Sequence, residues 1–419
     1  RHPGRCSVPL LPTILADLPF GKPQRDYLDA LLPLLTGLPV RPTHRNLTRF
    51  GGRCPHTHGR QAARACDFAT LNLAGVCAVV PYQHALAWAG DSTFLPKSGR
   101  KLPGVGWRWH SGEGRVAWGQ QLEVLSVLDL DEHCSYPVHG GLQEATAPRS
   151  RRSARRSRPP RAEVTRMLAL LDEALAVAHR PDIDIFVGDG HYACEPMVTG
   201  LAARDLVLVS KLRRDAALWV LWTGPPTGRP GRPRKYAGRF DRARIGELPL
   251  IKLSDEGPRL YHAQLYYKPF QKLLRVVFVL DADADPAEET RPTALFGTDP
   301  EMAPERIYRI YRDRFQIEFN FRDAKQHLGL AACQARTAER HHFHVNAVLA
   351  ALTWTRLELR HVADRALARF SMANVKLKSF LEMVLQRLFD TDGLRPTLQK
   401  HTAALQELLA LGPIEPKPT

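Results

Sequence analysis

The sequence predicts a mixed α/β fold with helical regions at both ends, and three observations carry that expectation. Short apolar runs end at Asp91 and next to Asp189, and an amphipathic helical pattern from Arg161 to His179 precedes the second, which is the alternating rhythm of α/β layers. Two β-rich runs, Arg259 to Tyr267 and Lys272 to Leu280, follow a Pro- and Arg-rich segment and read as an inserted β subdomain. From Pro304 onward the pattern is helical. A chain of 419 residues, 44% of them hydrophobic, buries a large core and favours two or three domains.

Residues 1–80 read as helical, with segments at Pro23 to Leu35, Thr43 to Phe50 and Thr57 to Phe68 and a break at Gly51-Gly52. The last two segments suit a helix-turn-helix whose second helix displays His58, Arg60, Gln61 and Arg64, although the link between them exceeds the usual three or four residues. Strands begin at His84, and Leu122 to Leu130 is the next run rich in Val and Leu. Arg149 to Arg161 alternates arginine with Ser and Pro, too charged to pack, and reads as a basic loop. A helix from Arg161, a buried strand from Asp182 to Val187 and a short strand from Leu206 to Lys211 complete this half.

The net charge of +16 creates a long-range field that attracts polyanions. Arginine supplies most of it, a bias that a GC-rich genome also produces. Seven scattered cysteines with no Cys-x-x-Cys pair argue against zinc or redox work. The apolar run from Val345 to Trp354 is about half the length of a bilayer span, and no charged-then-apolar leader is visible. The expectation is a protein of the bacterial cytosol, associated with the nucleoid and not with membrane.

The chemistry concentrates in Tyr311, Arg314, Glu318 and Lys325. At about 100° per residue, one continuous helix would project all four from a stripe about 60° wide. A carboxylate flanked by a guanidinium, an ammonium and a phenol suits metal-assisted phosphate chemistry, because the acid holds an ion while the donors grip phosphate oxygens. Arg314 and Glu318 are equally a correctly spaced i,i+4 ion pair on a solvated face. Asp91 and Asp189, each at the end of an apolar strand, stand where α/β folds place functional groups.

These segments resemble a known family, the DDE-type insertion-sequence transposases whose last acid lies in a Tyr-x2-Arg-x3-Glu-x6-Lys signature. Tyr311, Arg314, Glu318 and Lys325 match that signature without a gap, and Asp91-Ser-Thr-Phe-Leu-Pro-Lys97 and Val187-Gly-Asp189-Gly-His-Tyr192 resemble the surroundings of the other two acids. The resemblance spans roughly Leu73 to Leu357. It implies a ribonuclease-H-like mixed-sheet core at 81–212 and 292–360, interrupted by a β-rich insertion at 213–291 and flanked by helical regions at 1–80 and 361–419. It further implies that Asp91, Asp189 and Glu318 hold two Mg²⁺ ions, with Mn²⁺ as substitute, and that Arg314, Lys325 and Tyr311 contact transposon-end phosphates. Double-stranded DNA, as terminal inverted repeats and as target, is then the partner, and a homodimer pairs the two ends.

Weaker signals accompany these. Arg229-Pro-Gly-Arg232-Pro-Arg234-Lys235 is similar to Arg-Pro hooks that lie in a narrow minor groove. Lys97 is placed to touch phosphate. His341, His342 and His344 with Cys333 lack the spacing that converges on zinc. Tyr266 and Tyr267 point to opposite strand faces, so at most one stacks on a base. Two alternatives use the same residues: a structure-selective nuclease that cuts and never joins, and a decayed transposase that only binds DNA.

Overall fold

The structure is a computed structural model that describes residues 10–144, 160–225, 234–254, 256–284, 292–363 and 370–389. The chain begins with five helices: α1 (Leu10–Asp17), α2 (Lys22–Gly37), α3 (His44–Gly51), α4 (Pro55–Gln61) and α5 (Phe68–Val79). Thr43 caps α3 through its hydroxyl, and Gly52 ends that helix at φ +74°, a conformation that side chains disfavour. The helix expected at Thr57 to Phe68 is shorter than its pattern, because Asp67 accepts from the Thr70 N–H and opens α5 there. Of the four residues expected on its display face, His58 and Gln61 are buried, His58 against the Tyr27 hydroxyl at 2.9 Å.

The strands are β1 (Leu86–Pro96), β2 (Gly106–His110), β3 (Arg115–Asp129), β4 (Cys134–Leu142), β5 (Ile185–Gly188), β6 (Val207–Lys211), β7 (Leu218–Leu221), β8 (Tyr236–Arg239), β9 (Leu250–Lys252), β10 (Arg259–Tyr267), β11 (Lys272–Leu280) and β12 (Thr293–Gly297). They are joined with α6 (Pro160–Leu175), α7 (Glu195–Ala202), α8 (Pro304–Asp313), α9 (Gln316–Gln326), α10 (Ala338–Ala363) and α11 (Met372–Phe389). The twelve strands among the described residues form one mixed sheet.

One end of the sheet runs β4, β3, β1, β5, β6: an antiparallel meander followed by two parallel strands. This is the strand order of a ribonuclease-H-like core. The β-rich runs after β6 do not form a separate layer. β12 pairs with β6, and β11, β10, β7 and β8 extend the same sheet outward. Apolar side chains from β1, β5 and β6, Trp88 and Phe186 among them, lie fully buried, while α6 packs on β3 and β4 and α7 on β6. The long α10 packs on β4, α2 and α5 and so ties the amino-terminal helices to the sheet.

Candidate active site

Asp91 and Asp189 are neighbours because β1 and β5 run parallel in register, with Gly90 opposite Gly188. Each aspartate is the first residue beyond that paired position. Asp91 does not end its strand, as its apolar run suggested. β1 continues to Pro96 against β3, so Asp91 stands at a strand end only on its β5 side. Both glycines are required by space: a Cβ on Gly90 would lie 2.5 Å from the Phe186 ring, and one on Gly188 2.9 Å from the Tyr192 ring. Burial first, and then the neighbouring Asp189 charge, push the Asp91 carboxyl up to about 7, while Arg314 works the other way. Two carboxylates in one partly buried place repel each other unless a cation joins them.

The expected single helix through Tyr311 and Lys325 is two helices. α8 ends at Asp313 and α9 begins at Gln316, with Arg314 and Phe315 still right-handed but closed by tighter bonds, Ile317 N–H to Arg314 C=O and Glu318 N–H to Phe315 C=O, both 3.0 Å. The bend brings Arg314 between two acids. Its guanidinium donates to Asp91 Oδ2 at 3.1 Å and to Glu318 Oε1 at 3.2 Å, and lies 5.6 Å from the Tyr311 ring centre. Burial opposes the Arg314 charge, but Asp91 and the surrounding anions prevail and raise its pKa further. α9 is anchored from behind: buried Asn320 donates to the Ser135 hydroxyl at 2.9 Å and accepts from Arg356, which also pairs with Asp323.

Several supporting residues escaped the sequence reading. Glu123, fully buried on β3 one register position from Asp91, accepts from the Tyr192 hydroxyl at 2.6 Å and from Gln143 at 2.9 Å. Burial pushes its carboxyl up to about 8, so it is mostly protonated at neutral pH. Ser210 on β6 donates to the carbonyls of Gly188 and Asp189 at 2.9 and 2.8 Å. The His191 N–H donates to Asp189 Oδ1 at 3.0 Å, while its ring pairs with Glu163 and is held more basic than usual, chiefly by that bond. The available signals were a Glu inside the apolar run of β3 and a Ser inside that of β6.

The other candidates fall in two places. Lys325 at the end of α9 and Lys97 just past β1 line one cleft. Lys97 donates to the carbonyls of Ala331 and Cys333 at 2.7 and 2.9 Å, which leaves one N–H for another acceptor. Arg234 and Lys235 lie beside β8, the last strand of the sheet and far in strand order from β1. There Arg234 stacks 4.3 Å over Trp222 and Lys235 donates to the Tyr266 hydroxyl at 3.0 Å. Arg232 and the basic stretch from Arg149 to Arg158 lie outside the described residues. His344 bonds the Gly329 carbonyl at 3.0 Å. Among the described residues, His84, Asp129 and Asp131 bring possible ligand atoms within 4.8 Å of one another, but Arg360 and Arg309 already neutralise these acids.

Two aspartates side by side just past the paired parallel strands, in this sheet order, are consistent with a ribonuclease-H-like core. Residues 43–255, half of the chain, match the family model described as DDE superfamily endonuclease, and the chain belongs to that family. Residues 159–354 match the model described as transposase DDE domain. The first match includes Asp91 and Asp189, and the second includes Asp189 and Glu318. No curated protein matches the chain. Among the described residues, no helix is long and apolar enough to cross a membrane.

Proposed function

We propose that this protein is a DNA transposase of the group with the Tyr-x2-Arg-x3-Glu-x6-Lys signature, with Asp91, Asp189 and Glu318 as its catalytic acids. The observation that carries the reading is the bridge made by Arg314 between Asp91 and Glu318, beside Asp189. Acids from three distant segments converge where one cationic side chain joins two of them. Carboxylate oxygens of this kind suit Mg²⁺ or Mn²⁺, and the fit is supported by the burial of Asp91 and the Asp189 charge beside it, both of which disfavour its carboxylate without a cation. Two bound ions would supply an activated water or 3′-hydroxyl and a stabilised leaving oxygen for in-line displacement.

The chain's own residues then have distinct tasks. Asp91 and Asp189 hold their carboxylates side by side on a rigid parallel pair, and Glu318 closes the site from α9. Arg314 keeps the acids together without ions, and with DNA bound its guanidinium is free to grip phosphate, with Tyr311 and Lys325 beside it. The partners are the element's terminal inverted repeats and target DNA, two ends being paired in a homodimer in the bacterial cytosol. The family description, endonuclease, also fits an enzyme that cuts and never joins.

The test is Mg²⁺-dependent nicking and joining of labelled duplex carrying the flanking inverted repeats. The wild type is expected to give both products. Glu318→Gln should bind the duplex normally yet lose about a thousandfold in rate, the several kcal/mol that an ion-held transition state supplies. Nicked product without joined product would favour the nuclease, and binding with no product from either protein would favour a decayed transposase.

A further inference from the structure

A cleft of about 1120 Å³ is lined by Lys325 and Lys97 and by none of the three acids. Its walls come from four distant segments: the α2 to α3 link, the β1 to β2 loop, the α9 to α10 link and α11. They contribute Arg41, Lys97, Arg100, Lys101, Lys325, Arg336 and Lys376, and no Asp or Glu among the described residues lines the cleft. A wall drawn evenly from a chain with 43 acidic residues would include some. None of these seven cations makes an ion pair with a carboxylate among the described residues, although Lys22, Arg244 and Lys378 elsewhere each do.

The cleft also continues. An adjoining concavity shares Pro42, Thr43, Ala332, Cys333 and Gln334 with it and adds Arg45 and Arg340; a third shares His44 and Arg340 and adds Arg60 on α4. No acid lines either of these. The floor is fixed and not a flexible fringe: Lys97 donates to the Ala331 and Cys333 carbonyls, and Lys376 to that of His327. Burial lowers the pKa of Lys97, Lys325 and Lys376, so their charges gain from an anion brought to them.

We infer that this acid-free track, from Lys325 through Arg41, Arg100 and Arg336 to Arg45, Arg340 and Arg60, is a binding site for the phosphate backbone of duplex DNA that flanks the reacting strand. The inference deepens the proposed function and rests on it. A row of unpaired cations along a concave path matches a polyanion with regularly spaced charges, whereas a small anion would need only one of its positions. The contacts carry no base readout, so binding through the track is independent of sequence.

The experiment uses the full chain in EDTA, with random-sequence duplex DNA titrated at several salt concentrations. The combined variant Arg41→Gln, Arg100→Gln, Arg336→Gln is expected to bind more weakly and to lower the slope of log affinity against log salt by about 2 to 3, at about 0.9 per phosphate contact removed. The variant Arg45→Gln, Arg60→Gln, Arg340→Gln should do the same. The variant Lys22→Gln, Arg244→Gln, Lys378→Gln removes equal charge from acid-paired positions and should keep the wild-type slope. Unchanged thermal midpoints confirm that these surface variants fold.

Equal loss in the acid-paired variant, or a wild-type slope in either track variant, would overturn the site. Tighter binding of an RNA duplex of the same length, lost in the same variants, would overturn the DNA assignment. A chain that cuts DNA with Mg²⁺ but keeps its slope in the track variants rejects the track alone. A slope that falls as expected in a chain that never cuts rejects the catalytic reading alone.

Discussion

The end of the β1 and β5 pair and the cleft beyond α9 are opposites in charge. At the first, Asp91, Asp189 and Glu318 crowd together, with Glu123 behind them and one arginine, Arg314, joining two of the three. At the second, seven cations line a cleft with no acid among the described residues. Each region is electrostatically incomplete in its own way. In the proposed function small hard cations would complete the first, and in the inferred DNA track a polyanion would complete the second, as a metal-dependent enzyme acting on a nucleic acid requires.

The contrast is sharpened by the way the acidic side avoids having too many charges. Among the described residues Glu123 forms no ion pair, and burial puts its pKa near 8, above the ordinary 4.5, so the folded chain keeps a proton that the unfolded chain releases. Stability therefore falls as pH rises between those values, at up to about 1.4 kcal/mol per pH unit from this group. Glu123→Gln carries no such proton, and its unfolding free energy, measured by denaturant titration from pH 5 to 8, should fall less steeply than that of the wild type. An unchanged pH dependence would mean that Glu123 is ionised and paired, and the contrast would weaken.

A smaller effect is expected from Tyr192→Phe. The phenol donates to Glu123 beneath the Asp189 turn, and removing it leaves a buried acceptor unsatisfied at a cost of about 1 to 3 kcal/mol. The thermal midpoint should drop accordingly. No drop would show that Glu123 finds another donor and that Tyr192 does not hold the turn.

Much of this organisation was legible in the sequence, for reasons that separate what was seen from what was not. β10 and β11 match their β-rich runs residue for residue, because aromatic, branched and other apolar residues bounded by turn residues mark strands on the chain. The three carboxylates stood out as candidates through their local sequences. The bend at Arg314 was not readable, because helical periodicity registers which face a residue occupies and not whether the axis continues. Glu123 was not singled out, since only the packing of Tyr192 and Gln143 around it reveals burial. The cleft could not be found at all from sequence: Arg41, Arg100, Arg336 and Lys376 share no motif and meet only through folding.

The most direct test of the acidic site is calorimetric titration of Mn²⁺ into the wild type and into Asp91→Asn, without DNA. Binding to the wild type and loss of that binding in Asp91→Asn are predicted, with both proteins folded in metal-free buffer. Equal Mn²⁺ binding by the two proteins would contradict the assignment of Asp91 as an ion-holding residue and, with it, the catalytic role proposed for the three acids.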